Sequence, residues 1–169
     1  MVLPNQYGNT LLFLDKLREA GWRRIGFYLP KVVDSRTSGA FSAAYWRWQQ
    51  NIPERERLEV GLPDGFDEAH FAAWFRRVRP KFVIGLPAPL LDWIRRARVK
   101  PVPVAFPATL AEASADATRI DERWDMIYAA AVRTLDSMLR HSERGVPESP
   151  RRVSITGRWV PGRWGSGPR

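Results

Sequence analysis

The sequence is 169 residues long, 44% hydrophobic, with eight tryptophans and no cysteine. This length predicts one domain that buries roughly two thirds of its unfolded surface, and the missing cysteine excludes disulfides, zinc-thiolate sites and cysteine nucleophiles. The 27 Lys and Arg against 18 Asp and Glu leave a net charge of +9, but the arginines fall in pairs (Arg23-Arg24, Arg76-Arg77, Arg95-Arg96, Arg151-Arg152) at the ends of expected helices or beside strands. Cations there complement the helix dipole, so the charge alone does not require a nucleic-acid partner. No apolar run approaches the roughly 18 residues of a membrane span, and no charged-then-apolar leader is visible. The expectation is a soluble, unprocessed, cytoplasmic protein.

Met1 to Gly8 shows no periodicity and reads as a lead-in. From Thr10, Leu11, Leu14 and Leu17 recur at helical spacing until Gly21. Arg24 to Leu29 reads as a short buried strand ending at Pro30, and a loop then leads to Arg36 and a helix marked by Ala40, Phe41, Ala44, Tyr45 and Trp48. That helix should end near Pro53, because the residue before a proline avoids the helical region. Leu58 to Leu62 is a short apolar segment followed by a turn at Pro63-Asp64-Gly65. Asp67 is a plausible N-cap for a helix carrying Phe71, Trp74, Phe75 and Val78.

Phe82 to Leu86 reads as the next strand, Pro89 to Ala97 as a helix, and Val102 to Phe106 as a strand weakened by Pro103. Strands alternating with helices predict an α/β fold whose mainly parallel sheet is flanked by helices. Pro107 to Thr118 is a long loop. The longest helical pattern follows, with Trp124, Ile127, Tyr128, Ala131, Leu135, Met138 and Leu139 every three or four residues. Gly145 to Pro150 is a linker, Val153 to Ile155 a last strand, and the Gly-, Pro- and Arg-rich segment from Trp159 to Arg169 a poorly ordered tail.

Neither histidine, His70 or His141, has the context of a Ser-His-Asp triad, and both read as surface residues. No phosphate-binding glycine loop is present, and Asp15, Glu19, Asp67, Glu68, Asp121, Glu122 and Asp125 read as caps or solvated carboxylates. No metal, no cofactor and no catalytic residue is expected. Arg36 stands apart: it follows the first strand, and in open α/β sheets ligands bind beyond the carboxyl ends of strands. Its rigid fork of donors suits a carboxylate or vicinal hydroxyls, although stabilising its own loop is an equal reading of its position.

Asn5-x-x-Gly8, Ala20 to Tyr28 (AGWRRIGFY), Arg36-x-x-Gly39, Ile120-Asp121-Glu122, Ser142 to Glu148 (SERGVPE) and Ile155 to Gly162 (ITGRWVPG) together resemble the second half of the sensor domain of LacI/GalR-family transcriptional regulators, across nearly the whole chain. The resemblance implies one lobe of a periplasmic-binding-protein-like type I fold, a cleft for a small-molecule effector such as a sugar, a homodimer, and operator DNA bound only through a helix-turn-helix domain that this sequence does not contain. Residues 1–8 would be a lobe crossing, 9–118 the C-terminal lobe, 119–145 a helix returning toward the other lobe, and 146–158 the final crossing. Arg36 matches the family's ligand-contacting arginine. Phe66 and Phe106 fall near positions where relatives set an aromatic against a sugar face, and Glu122 falls at the second crossing, where relatives often point a polar side chain into the ligand cleft. Two positions depart from the pattern: Leu86-Pro87 stands where relatives carry a polar pair, and Pro107 where they carry Asp. From a different class, a small α/β enzyme using the loops around Arg36 and residues 107–118 is the alternative.

Overall fold

The computed structural model describes residues 1–108, 117–143, 145 and 149–168. Most of the long loop expected over 107–118, and parts of the linker expected over 145–150 and of the SERGVPE segment that overlaps it, therefore lie outside the described residues. The central sheet is parallel, ordered β2-β3-β4, from β2 (Ile25–Phe27), β3 (Phe82–Ile84) and β4 (Val104–Ala105). A parallel bridge between Tyr28 and Gly61 adds the 58–62 segment beside β2. Side chains alternate across such a sheet, and because both faces are covered the strands read as continuous apolar runs.

On one face, Ile25, Phe27, Phe82, Ile84 and Ala105 join Phe13, Leu14 and Leu17 of α1 (Gln6–Glu19) and Phe41, Tyr45 and Trp48 of α3 (Ala40–Gln49). On the other, Tyr28, Val83 and Val104 meet Phe71, Trp74 and Val78 of α4 (Glu68–Val78) and Leu90 and Ile94 of α5 (Pro87–Arg96). The helical turn α2 (Lys31–Asp34) joins β2 to α3. The α/β class expected from the alternation of periods is the one found.

Polar groups link the helices to these faces. The Trp48 indole donates to Asp15 Oδ1 (3.1 Å) between α3 and α1, and the Tyr45 hydroxyl donates to the Ile25 carbonyl (2.7 Å). Paired arginines do cap helix ends as their sequence positions imply: Arg23 donates to the Arg18 carbonyl at the end of α1, and Arg24 to the Val78 carbonyl at the end of α4. Two others form forked ion pairs, Arg77 with Glu59 and Arg96 with Glu68.

Several elements differ from the sequence expectation. The lead-in is a strand, β1 (Val2–Pro4), parallel to β6 (Val153–Ile155), and α1 starts four residues before Thr10 because the Asn5 side chain caps it by accepting from Gly8 N at 3.0 Å. A Cβ at Gly8 would sit 2.6 Å from the Asn5 amide, which gives the Asn5-x-x-Gly8 spacing a physical reason. The tail expected to lack order instead continues β7 (Arg158–Val160), antiparallel to β5 (Arg119–Asp121). Beyond β7, the Trp22 indole donates to the Trp164 carbonyl (2.9 Å), and the two rings meet edge to face at 6.4 Å. Trp159 likewise packs on Phe13. Glycine and proline mark turns here, while the tryptophans between them carry the packing. Finally, Pro103 confines β4 to two residues, since its nitrogen cannot donate, although its carbonyl still accepts from Val83 N.

The long helix α6 (Trp124–Arg140) packs on β1 and β6 and buries Ile127. Tyr128, Val132, Leu135 and Leu139 stand exposed along its other side.

Candidate functional site

The carboxyl ends of β2, β3 and β4 lead into Tyr28 to Pro30, Gly85 to Pro87 and Phe106 to Ala108. Arg36 rides on the 3-10 turn Ser35–Thr37 beyond β2. This turn is held by a residue that the sequence reading passed over. Asp34 is buried, and its carboxylate accepts from the backbone N–H of Ser42 (3.2 Å) and from the Ser42 hydroxyl, inside the first turn of α3. Ser38 and Gly39 then take left-handed conformations (φ 57° and 75°), and Gly39 N donates to the Asp34 carbonyl. Left-handed backbone favours glycine, so the Arg36-x-x-Gly39 spacing records a reversal of the chain just after the arginine. A carboxylate at a helix N-terminus satisfies orphan donors and complements the dipole. The only sequence signal for it was an Asp in a strand-end loop ahead of a helix whose own N-cap, Gly39, has no side chain.

Arg36 itself is exposed and has no hydrogen bond or ion pair among the described residues. The guanidinium is displayed by the turn and does not brace it. Replacing Asp34 by Ala should cost about 1–2 kcal/mol, the range for losing a helix cap or a buried charged hydrogen bond. Urea unfolding followed by circular dichroism measures this, and an unchanged midpoint would show that the clasp is not stabilising.

The other expected contacts are placed differently. Phe66 is 55% exposed, in the loop before α4, free to present its ring. Phe106 is only 6% exposed, and its ring lies 4.9 Å from that of Phe41 on α3. It therefore supports the helix that follows the Arg36 turn, and its face is not open at the strand end. Glu122 is 3% exposed and accepts from Gln6 Nε2 at 2.5 Å, so at the crossing it joins the start of α1 to the residue following β5. Phe66 and Phe106 border one broad groove together with Leu86 and Pro87, whereas Arg36 and Glu122 are not among its described lining residues. Leu86 is the N-cap position of α5 and Pro87 its first residue, an arrangement suited to a proline that has no N–H to satisfy.

The crossing segments are joined by further polar contacts. Asn9, fully buried, accepts from Gly157 N at 2.8 Å. Asp121 accepts from Arg123 N and from Arg158, and the backbone bond first, then the arginine, hold its carboxyl below the usual range. Near α4, burial pushes the Tyr28 phenol well above its ordinary value, reinforced by Asp67, and its hydroxyl lies 3.1 Å from His70 Nδ1. Among the described residues no group of His, Asp and Glu has the arrangement to hold a metal ion, and no helix is long and apolar enough to cross a membrane.

No protein-family model and no curated protein sequence matches the chain. Solved structures do. A transcription regulator like protein from Staphylococcus haemolyticus superposes with a TM-score of 0.67 at 14% identity, over 94% of this chain and 58% of its own. A LacI-family regulator from Sanguibacter keddieii gives 0.62 at 16% identity, over 98% and 66%. The transcriptional regulator CelR, solved as its cellobiose complex, gives 0.56 at 15% identity, over 94% and 52%. The chain thus spans between about half and two thirds of the length of these structures. Nearly every residue of it falls on their framework, and the protein has the periplasmic-binding-protein-like α/β fold of the sensor domains of LacI-family transcriptional regulators.

Proposed function

We propose that this chain is the effector-sensing part of a cytoplasmic LacI-type regulator and that it binds a small molecule, such as a carbohydrate, beyond the carboxyl ends of β2 to β4. The observation that carries the reading is Arg36: an exposed guanidinium on a turn clasped by Asp34 and Ser42, in the fold of known sensors, at the strand end where ligands of open α/β sheets bind. Its donor fork would take up adjacent hydroxyls or a carboxylate; the exposed ring of Phe66 would add an apolar face from the groove it borders. Phe106 and Glu122 would act one step back, Phe106 through Phe41 and Glu122 by bracing the crossing. The apolar Leu86-Pro87 and Pro107 give this site fewer hydroxyl acceptors than the resemblance implies for a sugar, which assigns Arg36 a larger share of the recognition.

In this reading, residues 9–118 serve as the C-terminal lobe and 119–145 as the helix returning toward a second lobe. Ligand-dependent closure of two lobes would shift dimer geometry and, through a separate helix-turn-helix domain, operator affinity, as a coupling free energy between two sites. The role is binding, not catalysis, and needs no cofactor. Self-association of this chain would run through the exposed side of α6.

Isothermal titration with cellobiose and a set of mono- and disaccharides tests the site. Arg36→Ala should weaken binding of whichever sugar the unaltered protein takes by about tenfold or more, the loss typical of a charged hydrogen-bonding group. Arg36→Lys should recover little, because a point charge does not replace a planar fork. Undiminished affinity in both variants would refute the assignment of Arg36.

A further inference from the structure

Three segments of the chain meet at the crossing: residues 5–9 at the start of α1, 119–122 around β5, and 155–158 between β6 and β7. Named atoms tie them together. Asn5 N donates to the Ile155 carbonyl at 2.9 Å, and Arg158 pairs with Asp121 at 3.0 Å. Gln6 Nε2 donates to Glu122 Oε1 at 2.5 Å, and Gly157 N donates to Asn9 Oδ1 at 2.8 Å. Gly157 is wedged between the other two segments, since a Cβ there would collide with Ile120 and lie 3.2 Å from Asn9 Oδ1.

The side-chain amides of Gln6 and Asn9 are each half used, and their partners fix which half. A carboxylate only accepts, so the end of Gln6 that faces Glu122 is the nitrogen. A backbone N–H only donates, so the end of Asn9 that faces Gly157 is the oxygen. Left over are an acceptor, Gln6 Oε1, and a donor, Asn9 Nδ2, both buried and without a hydrogen-bond partner among the described residues. Gln6 and Asn9 stand three residues apart on α1, the spacing at which side chains share a helix face and meet. The leftover halves are complementary, yet no hydrogen bond joins them.

Buried polar groups left unpaired are costly, so an arrangement in which these two atoms bond competes with the one observed. That single link would complete a chain of hydrogen bonds from Glu122 through Gln6 and Asn9 to Gly157, running through all three segments. Rotating the Gln6 and Asn9 side chains within one turn of α1 is enough to make it.

We infer that the crossing is a two-state junction, with the link between Gln6 Oε1 and Asn9 Nδ2 open in this structure and closed in the other state. Closure ties the Glu122 carboxylate to the backbone of Gly157, so a shift of the segment around β5 is passed to the turn between β6 and β7. A bistable element of this kind is what a ligand can bias. Its use in lobe movement rests on the sensor reading proposed above, whereas the two states themselves do not.

Relaxation-dispersion NMR of the ligand-free, 15N-labelled full chain tests the inference. The Asn9 Nδ2 amide and the Gly157 N–H should exchange between two states at one shared rate, on the microsecond-to-millisecond scale of collective motions. The Val83 N–H, bonded to the Pro103 carbonyl in the central sheet, should show none. Gln6→Met, close in volume but without a carbonyl to accept, should abolish the exchange at both positions. Asn9→Asp, which keeps the acceptor for Gly157 N and removes the donor, should abolish it at Gly157. The inference is overturned if the unaltered chain shows a single static Asn9 signal, if Asn9 and Gly157 exchange at unrelated rates, or if the exchange survives both substitutions. None of these outcomes bears on Arg36, which the titrations with sugars test separately, so failure of the junction and failure of the ligand site are distinguishable.

Discussion

Trp74→Ala should remove about 3–5 kcal/mol of stability, the range for truncating a buried aromatic, out of a total that for a single domain is about 5–15 kcal/mol. Trp74 is 1% exposed. Its indole donates to the Glu59 carbonyl at 2.9 Å, and its ring meets Tyr28 at 5.2 Å and Phe71 at 5.9 Å. It also covers Gly26 in the middle of β2, where even a Cβ would lie 2.9 Å from the ring. Truncation would open a cavity against the sheet, leave the Glu59 carbonyl without this donor, and loosen Tyr28, the residue that bridges β2 to Gly61. With a urea slope of about 2 kcal/mol/M, the midpoint should fall by roughly 2 M. Trp46→Ala is the control: that side chain is exposed, and the change should stay within about 0.5 kcal/mol. Equal effects of the two substitutions would contradict the packing described for α4.

The second large effect concerns association. Tyr128, Val132, Leu135 and Leu139 are 63%, 66%, 57% and 71% exposed, and their spacing of four, three and four residues is that of a heptad seam. Fully covering a Val or Leu side chain contributes about 1.5–3 kcal/mol, so a stripe of four provides a strong drive to find cover. The 169-residue chain should accordingly sediment as a dimer at micromolar concentration. Val132→Glu together with Leu139→Glu should convert it to a monomer while leaving helix content unchanged, since neither side chain is part of the folded core. A monomeric unaltered protein would sink this prediction, as would a dimer indifferent to both charges.

Periodicity made the middle of the chain legible. α3, α4, β2 and β3 each bury a face whose spacing is local, so Phe41, Tyr45 and Trp48, or Phe71, Trp74 and Val78, announce their helix without help from elsewhere. β1 was not legible, because three residues ending in proline become a strand only through a partner 151 positions away, Val2 beside Val153. The tail misled for a related reason: Trp164 has a place only because Trp22 is there to receive it. At the candidate site, the position of Arg36 after β2 could be read from order alone. The clasp by Asp34 could not, since a carboxylate eight residues before the serine it bonds fits no local capping pattern. Nor could the burial of Phe106, where an aromatic just past a strand can turn outward or inward and Phe41 decides it.

The pairing of β1 with β6 also bears on how the protein is made. Within this stretch, β1 and α1 are synthesised before the three strands of the central sheet, and β6 after them. The nascent chain can therefore assemble β2, β3 and β4 with their helices well before β1 has a partner, and closing a loop of this length is a slow, high-contact-order step. Until residues 153–155 emerge, β1 is an unclaimed edge and α6 lacks part of the surface it rests on. The pairing of β1 with β6 therefore follows the assembly of the central sheet, and slowing translation just before Val153 should prolong the interval in which a chaperone can bind.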